Sequence, residues 1–375
     1  MRWHKGSTGV IGCKVLACGA AAALAWAGFA SSGLSSVSVP HADRVVIISV
    51  PGLRWQDLAA LDTPGLDRDL SAAAMLSVRS IGSETSVLEG YLALNAGNRL
   101  EIAPPSPVSL RPVPSNTGWP GSACLPHVVA DAITSANDDL NGAHPGALGS
   151  ALAEQGIATA VFGESRAIAG LMDASGCVGR FGAIADLASL PDLFGIGTVT
   201  MLEYAGLEST NVASERTSII DAIDASVANL DLATDTQVIV VAPAAVNDAA
   251  EVTVVGLRSG AGGAEIASTP LVSASTRRAG YVTLTDIAPT VLQVLGIDVP
   301  AAMSGTTMTL VAASDAAGAP GSAAAFADVA ERVSFRDRAV GPVSVAFVAL
   351  VVLCALSLLV RRARLARSLA AVIMV

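Results

Sequence analysis

Val343–Val360 (VSVAFVALVVLCALSLLV) runs for 18 residues without a charge and is followed at once by Arg361, Arg362, Arg364 and Arg367. A helix needs about 20 consecutive apolar residues to cross the hydrocarbon core of a bilayer, and basic residues collect on the cytoplasmic side of a span. Residues 341–360 are therefore expected to form a transmembrane helix running from outside to inside, with 361–375 as a cytoplasmic basic segment. The competing reading, a helix buried in a soluble core, has to accommodate both the unbroken apolar length and the arginine cluster. After Arg367 the chain turns apolar again in Ser368–Val375 (SLAAVIMV), which reads as the opening turns of a second span. The expectation is a chain that forms part of a longer multi-span protein.

The other end carries Arg2, His4 and Lys5 before the Ala-rich apolar stretch Val15–Ala30, with Ser31, Ser32 and Gly33 directly after it. That order is the layout of a secretory signal, and Gly28 with Ala30 offers a small-x-small cleavage site. Residues 1–32 are read as a signal peptide or an uncleaved N-terminal anchor. Cys18 precedes most of the apolar run rather than following it, which disfavours lipidation there. Both termini thus place residues 41–340 outside the cytoplasm. Of the five cysteines, Cys13, Cys18 and Cys354 lie in or beside apolar segments, leaving Cys124 and Cys177 as the exported pair. They are read either as one disulfide or as two buried thiols. With 22 Lys plus Arg against 32 Asp plus Glu, a net charge of −10 argues against a nucleic-acid partner. The 52% hydrophobic content argues against disorder and for the bilayer as a partner.

Within the exported part, Arg44–Val50 (RVVIISV) is a β-branched run stopped by Pro51-Gly52, as expected of a strand buried on both faces. Similar runs recur at Ala158–Phe162, Thr198–Leu202, Gln237–Ala242 and Glu251–Leu257, several of them separated by helical patterns. Between Thr217 and Leu230, Ile219, Ile220, Ile223, Val227 and Leu230 share one helical face, and Gly146–Gln155, stopped by Gly156, leads into the strand at Ala158. The alternation predicts an α/β fold with a largely parallel sheet flanked by helices over 41–311. Six prolines between Glu101 and Gly121 predict a long surface loop. Ala, Gly and Ser enrichment in Ala312–Ala325 and mixed charge in Asp328–Arg338 predict a linker or stalk over 312–340.

Three segments in this order resemble the alkaline phosphatase-like superfamily of sulfatases, phosphodiesterases and phosphoethanolamine transferases. Val45–Leu53 (VVIISVPGL) looks like its opening strand and turn, and Glu84–Arg99 (ETSVLEGYLALNAGNR) looks like the segment where its nucleophile starts a helix. Leu284–Gly305 (LTDIAPTVLQVLGIDVPAAMSG) is similar to its C-terminal helix with the following Pro and Gly. The resemblance implies chemistry in which two divalent metals, commonly zinc, held by Asp and His activate a Thr or Ser. By spacing, Thr85 matches the nucleophile, 34 residues after Pro51 and 12 before Gly97. Its structural alternative is an N-cap of the following helix, with Ser83 and Ser86 as competitors.

The implied metal ligands are missing. Where the superfamily has a metal-binding Asp, this chain has Pro51, and where it has Asp-His-Gly the residues are Ala242, Pro243, Ala244 and Ala245. His4, His41, His127 and His144 are the only histidines, so none fills the late ligand positions. Asp286 matches a residue at the start of the C-terminal helix and is read as a structural cap. Glu203, Asp221, Asp224, Asn247 and Asp248 are the other acidic or polar candidates, without a metal-site spacing. Arg277 and Arg278 are the candidate anion ligands.

These features predict a catalytically inactive, membrane-anchored domain without a cofactor, binding the bilayer and other envelope membrane proteins. The alternative is an active phospho- or sulfo-ester hydrolase or head-group transferase with Thr85 as nucleophile and zinc or another divalent metal. A third expectation is that the exported domain serves a larger multi-span transporter or glycan-assembly protein.

Overall fold

The run Arg44–Ser49 carries no polar side chain between Val45 and Ile48, so whichever way each residue of an extended chain points, it needs an apolar cover. The computed structural model supplies that cover on both sides. It describes residues 35–78, 85–100, 113–114, 121–125, 142–189, 199–233, 235–248, 252–258, 269–312 and 315–373.

In chain order the strands are β1 (Ser36–Ser38), β2 (Arg44–Ser49), β3 (Ala72–Ser77), β4 (Val113–Pro114), β5 (Ala123–Cys124), β6 (Thr159–Phe162) and β7 (Cys177–Val178). They continue with β8 (Arg180–Gly182), β9 (Val199–Glu203), β10 (Thr236–Val241), β11 (Val252–Leu257), β12 (Thr269–Ser273), β13 (Tyr281–Thr283) and β14 (Met308–Val311). Eleven of them form one sheet in the order β1-β14-β12-β13-β3-β11-β10-β2-β9-β6-β8. Pairing is parallel through β10-β2-β9-β6-β8, with Ile47 opposite Ile239 on one side and Met201 on the other. The exceptions are β11, antiparallel to both β10 and β3, and β14, antiparallel to β12 and β1. The sheet is thus mixed and mostly parallel, and the five strands expected from sequence lie where they were placed to within two residues. The run at 251–257 differs in direction alone, since β11 pairs antiparallel with β10, which a connection without a crossover helix allows.

The helices are α1 (Trp55–Ala60), α2 (Pro64–Asp69), α3 (Val87–Ala96), α4 (Ala147–Glu154), α5 (Ala213–Ala228), α6 (Ile287–Val294) and α7 (Ala323–Ile373). Side-chain alternation along β2 feeds two cores. Val45 and Ile47 join Leu92, Leu148, Leu152, Ile287 and Val291 from α3, α4 and α6. Val46 and Ile48 join Trp55, Leu66, Ile220 and Val227 from α1, α2 and α5 on the opposite face.

A separate three-stranded sheet, β4-β5-β7, sits beside the main one. Its register sets Cys124 opposite Cys177, and the two are joined by a disulfide that closes a loop of sequence separation 53. On chain-entropy grounds a loop of that size stabilises the fold by about 4 kcal/mol. Most of the proline-rich stretch, 101–112 and 115–120, lies outside the described residues, as do the N-terminal residues 1–34.

Residues 312–340, expected as a linker or stalk, become helical at Ala323 and belong partly to the second core. Ala323, Phe326 and Ala330 recur at helical spacing and are buried, and Phe326 stacks on Trp55 at 4.4 Å between ring centroids and 17° between planes. The same helix then leaves the domain. It contains an 18-residue window of mean hydropathy 2.6, none of it buried, and is long and apolar enough to cross a membrane. Pro342 marks the transition, where it removes one intrahelical hydrogen bond.

Truncating Phe326 should therefore act as a core mutation. Phe326→Ala is expected to destabilise the detergent-solubilised full chain by about 3–5 kcal/mol in urea unfolding followed by tryptophan fluorescence. A change below about 1 kcal/mol would separate α7 from the core.

Candidate functional site

Parallel strands end together, so the carboxyl ends of β2, β9 and β10 converge on one edge, the place where α/β folds build sites. The pairing register sets Glu203, the last residue of β9, opposite Ser49, the last of β2. Both are buried. Tyr91 of α3 reaches between them, with its hydroxyl 2.8 Å from Ser49 Oγ and donating to Glu203 Oε1 at 2.9 Å. Arg166, in the 3-10 helix Ser165–Gly170 after β6, donates from Nε to the same oxygen at 3.0 Å, while the Glu164 amide donates to Oε2 at 2.7 Å. Arg166 reaches Glu208 with its other arm, and Glu208 Oε2 accepts from the Gly206 amide at 2.7 Å. Gly163 lets the loop pass this closely: its φ is 154°, and a Cβ there would sit 2.5 Å from Glu203 Cβ.

Every polar atom of the Glu203 carboxylate is thus answered by a donor, as a buried charge requires. Burial still pushes its carboxyl above the usual range, against the pull of Arg166, the Glu164 amide and Tyr91. For Arg166, burial works to lower the pKa, and the charges of Glu203, Glu208 and Glu164 outweigh it and hold the guanidinium protonated more firmly than usual. Burial, and then the charge of Glu203, drives the Tyr91 hydroxyl well above its ordinary value. The cluster is a neutral phenol, a carboxylate and a fixed cation, locked by reciprocal bonds.

Next to it, the turn after β10 presses on α3. Ala242, Pro243, Ala244 and Ala245 are all buried, and a Cβ at Gly90 would overlap the Pro243 carbonyl oxygen. The Gly52 amide donates to Ala244 O at 2.8 Å, and the Ser304 and Gly305 amides donate to Gly97 O at 2.9 and 3.0 Å. The first two segments that carry the superfamily resemblance thus touch the 242–245 turn through Gly52 and Gly90, and the third contacts the second at the far end of α3, at Gly97. Their side chains there do not fit the two-metal centre which the resemblance implies. Pro51 and the 242–245 turn supply no donor, and among the described residues no three His, Cys, Asp or Glu side chains gather into a possible metal site.

Thr85 is 2% exposed and precedes the cap of α3. The cap itself is Ser86, whose Oγ accepts from the Glu89 amide at 3.3 Å while Glu89 Oε2 accepts from the Ser86 amide at 2.8 Å. Arg277 and Arg278 are exposed in the turn from β12 to β13, Arg277 with a φ of 53° and Arg278 packed 4.0 Å over the Tyr281 ring. Asp286 accepts from Ser275 Oγ at 2.6 Å, the Thr306 amide at 2.8 Å and the Thr283 amide at 2.8 Å, a structural cap with no free valence. Asp224 accepts from the Leu66 amide at 2.8 Å and Asp221 is exposed on α5, both away from this edge. Asn247 adopts a φ of 51° in the turn Val246–Asp248. His41 and His144 are exposed, and His4 and His127 lie outside the described residues.

Of the cluster, Glu203 alone is a candidate by sequence. Arg166 carried a usable signal, being the one cation between Arg111 and Arg180, in a loop directly after a buried strand. Tyr91 and Ser49 carried none, since each sits in an otherwise apolar run.

No protein-family model matches the chain, and no curated protein matches it in sequence. Solved structures similar to it include the PH0037 protein from Pyrococcus horikoshii, with 9% identity and a TM-score of 0.42 over 69% of this chain and 98% of that one. A 2-O GAG sulfatase, BT1596, has 12% identity and a TM-score of 0.40 over 71% of this chain and 73% of its own. Murine ectonucleotide pyrophosphatase / phosphodiesterase 5 has 12% identity and a TM-score of 0.33 over 53% and 56%. At such identities the chemistry has to be read from this chain's own residues.

The raised Glu203 pKa has a definite sign. The folded state holds the proton more tightly than the unfolded chain, so this group favours folding below its ordinary value of 4.5, and that contribution is lost as pH rises through the folded value. Stability of the wild type should fall with pH above 4.5 more steeply than that of Glu203→Gln, measured by urea unfolding across the acidic to neutral range. Parallel pH profiles would remove Glu203 from the linkage.

Proposed function

We propose that this chain is a membrane-anchored, extracytoplasmic domain of alkaline phosphatase-like fold that does not turn over phosphate or sulfate esters. Its role is binding or assembly at the outer face of the membrane, with the bilayer and other envelope membrane proteins as partners. The observation that carries the reading is the filling of the carboxyl edge of the sheet: Arg166 and Tyr91 satisfy Glu203, α3 closes on Pro243, and among the described residues no group of three His, Cys, Asp or Glu side chains gathers there. A guanidinium here balances the buried carboxylate, and its five donors in a fixed plane offer no lone pair with which to activate water. The burial of Thr85 supports the same reading, because a covered hydroxyl is out of reach of a substrate in solution. The expected export signal and the apolar α7 support the topology, with the domain outside and 361–375 inside.

The test uses the detergent-solubilised full chain, dialysed against zinc and manganese, analysed for bound metal and assayed with bis-p-nitrophenyl phosphate and p-nitrophenyl sulfate. No stoichiometric metal and no turnover above buffer are expected, and Thr85→Ala is expected to shift unfolding without touching the assay. About two metals per chain together with turnover that Thr85→Ala abolishes would replace this reading with a metal-dependent hydrolase or head-group transferase.

A further inference from the structure

Helix α7 crosses the sheet in a definite direction. β11 runs antiparallel to both β10 and β3, so β3 has the same sense as β10, β2 and β9, and its last residue, Ser77, lies at the carboxyl edge with Ser49 and Glu203. Phe326 packs at mid-strand height. A Cβ at Gly280 would lie 3.6 Å from its Cε1, and the Gly280 carbonyl accepts from the Met75 amide at 2.9 Å. Ala330, four residues further on, borders a cavity together with Val252, which the register sets opposite Ser77. Four residues of helix rise about 6 Å, and the two strand steps from Met75 to Ser77 about 6.6 Å, so this part of α7 climbs from the middle of β3 to its carboxyl end.

Past the edge the helix continues the same way. Ser334 and Arg338 border the same cavity as Asn211 and Ala213, which follow the carboxyl end of β9, and α7 runs on unbroken to the apolar stretch that begins at Val343. Val343 comes thirteen residues after Ala330, about 20 Å of helix. A proline kink at Pro342 on the order of 20–30° would tilt the domain without exchanging its two edges. Beside α7, α5 makes the return journey. Arg216, near its start, donates to Gly52 O at 2.8 Å just past β2, and Val227 O, near its end, accepts from Arg68 Nη2 at 3.3 Å just before β3.

We infer that the carboxyl edge of the sheet, where the Glu203–Arg166 cluster lies, is the side of the domain turned toward the bilayer, so the surface it faces is the outer lipid leaflet and the amino edge points away. The inference rests on the reading of α7 as a membrane span. The polar layer of a leaflet is roughly 5–8 Å thick, so the strand ends stand above it, and the loops that leave them face the space between.

Energy transfer from the full chain in phosphatidylcholine vesicles tests it, with Cys13→Ser, Cys18→Ser and Cys354→Ser in place and the Cys124–Cys177 disulfide kept. Donor dyes go on Ser214→Cys or Ala228→Cys, two exposed positions separated by about 21 Å along α5, and the acceptor is carried by phosphatidylethanolamine head groups in both leaflets. Transfer from Ser214→Cys is expected to be severalfold greater than from Ala228→Cys. Ser209→Cys and Asp231→Cys, exposed before and after α5, repeat the comparison should a label on the helix disturb folding. Equal transfer from the two ends, or greater transfer from Ala228→Cys, would overturn the inference. Carbonate extraction separates the two levels. A chain that stays in the membrane and gives equal transfer overturns this inference alone, and a chain that is extracted overturns the span as well.

Discussion

Covering β2 on both faces leaves its two ends as the only places where that strand meets polar chemistry. Beside it β9 and β10 are buried as well, and the carboxyl edge gathers Ser49 and Glu203. A carboxylate in that position needs a counter-charge and at least three donors to persist, and this constraint explains the rest of the edge. It fixes the path of the loop after β6, which delivers Arg166, and the closeness of that path is why Gly163 has no side chain. It fixes the rotation of α3, which brings Tyr91 to the carboxylate and turns Gly90 toward the 242–245 turn.

The cation that answers Glu203 is covalently part of the chain, the guanidinium of Arg166. That has physical consequences beyond charge. An arginine is a donor on every polar atom, so it satisfies acceptors and activates none, and its charge cannot be removed by chelation or acid. The domain consequently carries at its sheet edge a cluster suited to holding three elements together, with Glu203 bound from β6's loop, α3 and its own strand at once.

Much of the sheet was legible because β-branched runs leave few choices. Arg44–Ser49 and Thr236–Val241 announce strands with both faces covered, and Ile220, Ile223 and Val227 announce the face of α5. β3 was not legible, since Ala72, Ala73 and Ala74 have no strand preference of their own and are extended because β11 and β13 lie on either side. β12, β13 and β14 are short and hold polar residues, so their apolar pattern is too brief to stand out. The candidate site was legible by omission: Pro51 and Ala242–Ala245 advertise the lack of ligands, whereas the Glu203–Arg166 contact joins residues 37 apart and no local pattern encodes it. Composition misled at 312–340, where small residues read as a linker although Ala323, Phe326 and Ala330 form an anchoring stripe.

That stripe makes the domain and the apolar helix one mechanical body. With Phe326 fixed against Trp55 and the helix continuous to Ile373, the azimuth of the domain about the helix axis is set by how many residues lie between Ala330 and Val343. Each residue inserted or lost there turns the domain by about 100° and moves it about 1.5 Å along the axis. The spacing between anchor and apolar stretch therefore acts as a phase, choosing which side of the globular body is presented to a neighbour standing beside the same helix.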